Sequence, residues 1–205
     1  MNRSVNKEIL LPLRPEFILR RLGYGRTRPT PENIRNRIMG IISEARALIE
    51  PGAVYIDADI VLKQFHLFEL EGKFDLPGES ITRLLKDSEK ATVFAGTIGG
   101  EITDEVDNRI SEGRDDEALF LDAVGSEAAE ELARLMHRWA HHRAKRTGMT
   151  VTGRFSPGYG DFVLETQREI IEYLGAEEIG ISVNNRFMLT PRKSVTGIIG
   201  WNSKK

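Results

Sequence analysis

Apolar residues recur every three or four positions between Asp115 and Arg146, where Leu121, Val124, Ala128, Leu132, Leu135 and Trp139 form one stripe. That period predicts one long helix with the stripe turned to a core. Acidic residues open the segment and Arg138, Arg143, Lys145 and Arg146 close it, which complements the helix dipole. The same reading predicts a short helix over 15–22, with proline near its start and Gly23 at its stop. A second begins at Pro31, with Thr30 as its expected cap and Ile34, Ile38, Ile41, Ile42, Ala45 and Ile49 at helical spacing, and Pro51-Gly52 ends it. Further helices are expected over 79–85, 101–111 and 164–174.

Strands show as short β-branched runs: Val54-Tyr55-Ile56 and Ile60-Val61-Leu62 around Asp57 and Asp59, and 91–98 as the best central strand. Met149-Thr150-Val151-Thr152 leads into a Pro-Gly turn. The runs 180–183, 187–189 and 194–199 follow, with Asn184-Asn185 expected to supply positive φ in a tight hairpin. Strands and helices are mixed rather than alternating, so the expected fold is α+β, with a twisted, largely antiparallel sheet flanked by helices. No repeat or linker divides the chain, and one domain over 1–205 is expected.

Composition narrows the chemistry. The 205 residues are 40% hydrophobic and 29% charged, as in a globular protein, and the net charge of −2 provides no overall field to attract nucleic acid. No stretch approaches the roughly 20 apolar residues that span a bilayer, and the polar N-terminus lacks the features of a signal peptide. The expected compartment is the cytoplasm, with neither a membrane nor a nucleic-acid partner. Without cysteine there is no disulfide framework, no thiolate zinc site and no cysteine nucleophile.

Several familiar patterns fail on inspection. The turn over 96–100 has neither Gly-Lys-Ser/Thr nor Gly-x-Gly-x-x-Gly, so it does not read as a phosphate loop. His137, His141 and His142 stand at helical spacing, but Arg138, Arg143 and Arg146 beside them would repel a dication, so no metal site is expected. Ser156 lacks the Gly-x-Ser-x-Gly elbow, and paired carboxylates such as Asp57 with Asp59 show nothing that would split their pKa values. No catalytic residue is assigned.

The stretch Arg154-Phe155-Ser156-Pro157-Gly158-Tyr159 does suggest recognition of an amino acid. A planar guanidinium grips a carboxylate through two parallel hydrogen bonds. Tyr159 offers a flat surface, and glycine lets backbone approach a ligand. Glu130 lies off the core stripe of the long helix, with small residues around it, and could accept from an α-ammonium group.

These residues, with the 132–148 segment and Phe187-Met188-Leu189-Thr190-Pro191-x-x-Ser194-Val195-Thr196-Gly197, occur in an order and spacing that resembles the S-adenosylmethionine-binding activation domain of cobalamin-dependent methionine synthase. The resemblance covers about residues 115–200 and implies a C-shaped α+β domain. It further implies that Arg154 binds the ligand carboxylate, that Ser156, Pro157, Gly158 and Tyr159 line the adenosine and main-chain contacts, and that Glu130 touches the ligand. The implied role lies in methionine biosynthesis: S-adenosylmethionine is presented for reductive methylation of cob(II)alamin, the cobalamin being carried by the partner synthase. An external one-electron donor such as flavodoxin or ferredoxin reduces the cobalt. No Asp-x-His-x-x-Gly cobalamin sequence is present, so the expectation is a stand-alone activation subunit of a separate methyltransferase. The alternative is a non-catalytic docking or reactivation partner of another corrinoid methyltransferase, without S-adenosylmethionine binding.

The chain departs from the family after Tyr159. Gly160-Asp161-Phe162-Val163-Leu164 replaces a Pro-x-Cys-Pro segment, the family's acidic residue near the domain start has no counterpart, and the family's tail tyrosine is not reached.

Overall fold

The computed structural model describes residues 1–25 and 27–203. A seven-stranded antiparallel sheet is its frame. In chain order the elements are β1 (Asn2–Asn6), α1 (Pro15–Arg21), α2 (Glu32–Leu48), β2 (Gly52–Gln64), β3 (Leu67–Leu70), β4 (Phe74–Pro77), α3 (Glu79–Leu84), β5 (Ser88–Thr97), α4 (Glu101–Ser111), α5 (Asp115–Arg146), β6 (Met149–Phe155), α6 (Thr166–Leu174), a 3-10 turn (Ala176–Ile179), β7 (Ser182–Val183), β8 (Leu189–Thr190) and β9 (Ser194–Ser203). The sheet order is β4-β3-β2-β5-β9-β6, with β1 also on β2, and β7 and β8 form a separate hairpin. The expected α+β class with an antiparallel sheet is the observed one.

Alternation along the central strands builds two cores. In β5, Val93 and Ala95 face one side while Phe94 faces the other, and Ile198 and Ile199 of β9 divide in the same way. Against the first face pack α1, α2, α4 and α5, through Ile18, Ile38, Ile42, Ile102, Leu121, Val124, Ala128 and Leu132. Against the second pack α3 and α6, with Ile81, Ile170, Ile171 and Leu174 joined by Phe162. Leu135 and Trp139 of the predicted stripe are only partly buried, and Met136, Ala140 and Ala144 fill the buried face of the C-terminal half of α5, which ends beside a polar network. There Arg143 forks onto Asp57 at 2.6 and 2.9 Å and lies over the Tyr55 ring, and Thr92 links Asp57 to the Trp201 indole.

Four local expectations are corrected. Thr30 makes no cap, since Pro31 occupies the cap position of α2. The two runs around Asp57 are one strand, β2, because Asp57 is paired with Arg143 and need not end it, while the register shifts between Ile60 and Leu62. In the 184–188 hairpin the positive φ falls on Phe187, at 59°, while Asn184 Oδ1 accepts the amides of Arg186 and Met188. Arg154 does not sit in a turn: it belongs to β6 and pairs with Ile199.

Candidate functional site

Arg154 reaches its position through a β-bulge. The β6–β9 register shifts between Val151 and Arg154, and Thr152 repairs the break: its hydroxyl accepts the Gly200 amide at 2.9 Å, and its carbonyl lies 2.9 Å from His137 Nε2 of α5. Bulges turn side chains away from the regular alternation. This one lays the Arg154 stem across Gly197 of β9, where a Cβ would stand 2.9 Å from Arg154 Cγ. The guanidinium then meets the middle of α5, with Arg154 Nη2 3.1 Å from Glu130 Oε2 and 3.3 Å from Oε1.

A single nitrogen therefore shares both carboxylate oxygens. The Nε and Nη1 hydrogens of Arg154 have no acceptor among the described residues. Glu130 is half-exposed, with Arg134 Nη1 3.8 Å from Oε1. The structure thus places a carboxylate and a guanidinium side by side at the mouth of a groove of about 610 Å³.

Five of the six residues expected from sequence line that groove: Glu130, Arg154, Ser156, Pro157 and Tyr159. Gly158 does not line it. Its φ of 89° and its amide, which donates to Phe162 O at 2.7 Å, shape the turn that carries its neighbours. Ser156 donates to Thr196 O at 2.6 Å, pinning the turn to β9. Tyr159 is 66% exposed and stands at the rim, and Met188 is exposed on the same groove.

Besides Glu130 of α5, lining residues outside the Arg-to-Tyr stretch come from α6 and the β7–β9 region. Thr190, Ser194, Val195 and Thr196 belong to the quoted Phe187-to-Gly197 segment, whereas Gln167 was not singled out in sequence and Arg192 reads there as an ordinary basic loop residue. Gln167 is buried in the N-terminal turn of α6. It donates to Phe187 O at 2.7 Å and accepts from Thr196 Oγ1 at 3.2 Å, so it locks the groove floor. The only signal in sequence was a polar residue on the apolar face of a short helix.

The segment that departs from the family pattern is a latch. Asp161 accepts the Glu79 and Ser80 amides at 2.5 and 2.9 Å, capping α3 from across the molecule. The Ser80 hydroxyl and these amides hold its carboxyl down at about 2. Next to it, Phe162 is fully buried against the second core, its ring 6.1 Å from that of Phe155. Gly160, at φ 59°, lies so close to Ser80 that a Cβ would be 2.6 Å from its hydroxyl oxygen.

Beneath Glu130, α5 is braced by ions. Glu127 and Glu131 are buried; Arg21 of α1 bonds Glu127 at 2.7 Å, Arg134 bonds both, and Arg138 bonds Glu131 at 2.9 Å. Burial works to raise the Glu131 carboxyl, but the hydrogen bonds of Arg134 and Arg138 outweigh it and hold it below its ordinary value. His137 is tied to the β6 bulge, and no group of three or more potential metal ligands occurs among the described residues.

The antiparallel α+β fold thus carries a paired acid and base in the lining of one groove. Among solved structures, the chain is similar to the MetH reactivation domain bound to AdoHcy, with a TM-score of 0.69 and 11% identity over 100% of this chain and 80% of that one. The likeness establishes that the fold is that of the reactivation domain. No family model and no curated protein matches the sequence. Among the described residues, no helix is long and apolar enough to cross a membrane.

Proposed function

We propose that this chain binds S-adenosylmethionine in the groove between α5, β6, β9 and the 156–162 turn, and supports reductive methylation of cob(II)alamin held by a cobalamin-dependent methionine synthase. The observation that carries this reading is the adjacent Glu130 carboxylate and Arg154 guanidinium at the groove mouth. An α-amino acid end is a zwitterion with the opposite order of charge, so its ammonium faces Glu130 while its carboxylate takes a free Nη1 hydrogen of Arg154. Support comes also from the fold, shared with a domain crystallised with AdoHcy. Tyr159 offers its ring to the adenosine end, and Ser156 and Pro157 form the wall beside it.

The chemistry belongs to the ligand and the corrinoid. An external one-electron donor such as flavodoxin or ferredoxin would supply the reduction of cob(II)alamin on the partner, and S-adenosylmethionine would supply the methyl group and leave as the thioether. The chain contributes position: it holds the methyl donor by its amino-acid end, leaves the groove open to an approaching corrinoid, and needs no acid or base of its own.

Calorimetric titration of the chain with S-adenosylmethionine tests this. Binding is expected, and Arg154→Ala should weaken it at least about tenfold, the loss of a charge-assisted pair worth about 1.5 kcal/mol or more. No binding, with or without a corrinoid protein present, would overturn the reading. One observation favours the remaining alternative, a docking partner of another corrinoid methyltransferase that binds no S-adenosylmethionine: the Glu130 carboxylate is already paired with Arg154.

A further inference from the structure

In the middle of α5, Glu130, Ala133, Arg134, His137 and Arg138 fall at helical spacing and so share one face. The β6 bulge brings Arg154 against that face. Together the six residues line a second cavity, of about 390 Å³, which shares Glu130 and Arg154 with the groove. Ala133 supplies the room, and His137 ties the face to the bulge by donating to Thr152 O. Arg134 and Arg138 are like charges four positions apart, an arrangement that destabilises a helix unless anions offset it.

Two buried glutamates brace these guanidiniums and leave some of their hydrogens unused. Arg134 gives Nε to Glu131 and Nη2 to Glu127, and Arg138 gives Nη2 to Glu131. Arg134 Nη1 has only Glu130 Oε1 at 3.8 Å, beyond hydrogen-bond length. Among the described residues, Arg138 Nε and Nη1 and Arg154 Nη1 have no acceptor. The lining holds three guanidiniums against one carboxylate, and that carboxylate is already paired with Arg154. Glu127 and Glu131 offset part of the charge, so the cavity offers aimed donors rather than a strong field. Its basic character continues onto α1, where Arg14 and Arg20 join Arg134 around the Phe17 ring, at 5.6, 5.2 and 5.4 Å from its centre.

We propose that this second cavity is a phosphate site, for inorganic phosphate or a phosphate monoester. A tetrahedral dianion has oxygens enough to meet three guanidiniums at once, whereas a carboxylate has two. The planar fork of arginine suits both the ion and its esters. The site is distinct from the amino-acid end of the groove but coupled to it through Arg154. Two anions on one guanidinium repel each other, so a filled cavity loosens the hold on the carboxylate of the ligand proposed above.

The test is calorimetric titration of the whole chain, at one low ionic strength, with inorganic phosphate, methyl phosphate and acetate. Phosphate should bind with a Kd of about 1 mM or below, and acetate at least about tenfold more weakly. Methyl phosphate binding as tightly as phosphate assigns the site to an ester, and weaker binding assigns it to the free ion. Arg138→Gln should weaken phosphate at least about fivefold. Arg138→Lys keeps a cation for Glu131, and should still weaken it about threefold for want of the planar fork. Saturating phosphate should lower the affinity for S-adenosylmethionine at least about threefold, and an unchanged affinity overturns the coupling. Absent phosphate binding, acetate as tight as phosphate, or unchanged phosphate affinity in a folded Arg138 variant overturns the site. Phosphate binding by a chain that binds no S-adenosylmethionine overturns the function proposed above and leaves this site standing.

Discussion

An alanine at Gly197 inserts one methyl group where three atoms already crowd. Its Cβ would stand 2.7 Å from Phe94 Cε1, 2.8 Å from Phe94 Cζ and 2.9 Å from Arg154 Cγ. Carbon contacts are optimal at roughly 3.5–4.0 Å, so each of these pairs must open by most of an ångström. The backbone of β9 cannot retreat freely, being bonded to β5 on one side and β6 on the other. Phe94 is fully buried, whereas Arg154 is partly exposed, so the Arg154 stem is the group that yields. Overpacking of this kind costs about 1–3 kcal/mol. Urea unfolding of Gly197→Ala should show that loss as a lower midpoint at unchanged slope. Because the guanidinium moves with its stem, affinity for S-adenosylmethionine should also fall, by about tenfold or more. Adding Phe94→Leu makes room, so the double variant should be more stable than the sum of the single losses by at least about 0.5 kcal/mol. Stability within about 0.5 kcal/mol of the parent together with unchanged affinity would refute the reasoning.

Acid should act through Asp161. Its folded value of about 2 lies below the ordinary carboxylate value, so its contribution is complete above that ordinary value and is lost as pH falls from about 4 through about 2. Asp161→Asn should therefore be less stable than the parent at neutral pH, with the gap closing across that window in acid-unfolding curves; a gap independent of pH would show that the charge is not what caps α3. Phe162→Ala should lower stability by about 3–5 kcal/mol, because a fully buried ring leaves a cavity that the braced turn cannot fill. Chemical unfolding measures it, and a loss under about 1 kcal/mol would mean that the 156–162 turn is not anchored through this ring.

The helices were legible because burial on one face imposes a 3.6-residue period: α4 and α5 span the residues that periodicity marks, from Glu101 to Ser111 and from Asp115 to Arg146. The central strand β5 was legible for the related reason that both its faces are covered, which leaves a continuous apolar run. β1 was not, since Asn2-Arg3-Ser4-Val5-Asn6 is a polar edge strand whose pairing with β2 comes from backbone bonds rather than from alternation. β3 and β4 were missed as separate strands because their four residues each give a period of 2 too little length to register. At the site, the types of the residues were informative and their mounting was not. Glu130 and Arg154 were expected to hold two ends of a ligand, and the contact between them depends on a bulge at Thr152 that no local signal announces. Gln167 stayed hidden for another reason: its place on the apolar face of α6 marks it as buried, but nothing in sequence names Phe187 and Thr196 as the partners that satisfy its amide.

The chain of bonds from Ser156 to Thr196, from Thr196 to Gln167 and from Gln167 to Phe187 has a kinetic consequence. It ties the turn, β9, α6 and the β7–β8 hairpin into one floor, so entry of a small molecule calls for no loop to fold over it. The one contact that must loosen is the ion pair between two half-exposed side chains, and exposed rotamers rearrange within nanoseconds. For the ligand proposed above, arrival and departure would then be set by diffusion and by the depth of the groove, as in a quickly exchanging cradle rather than a vault.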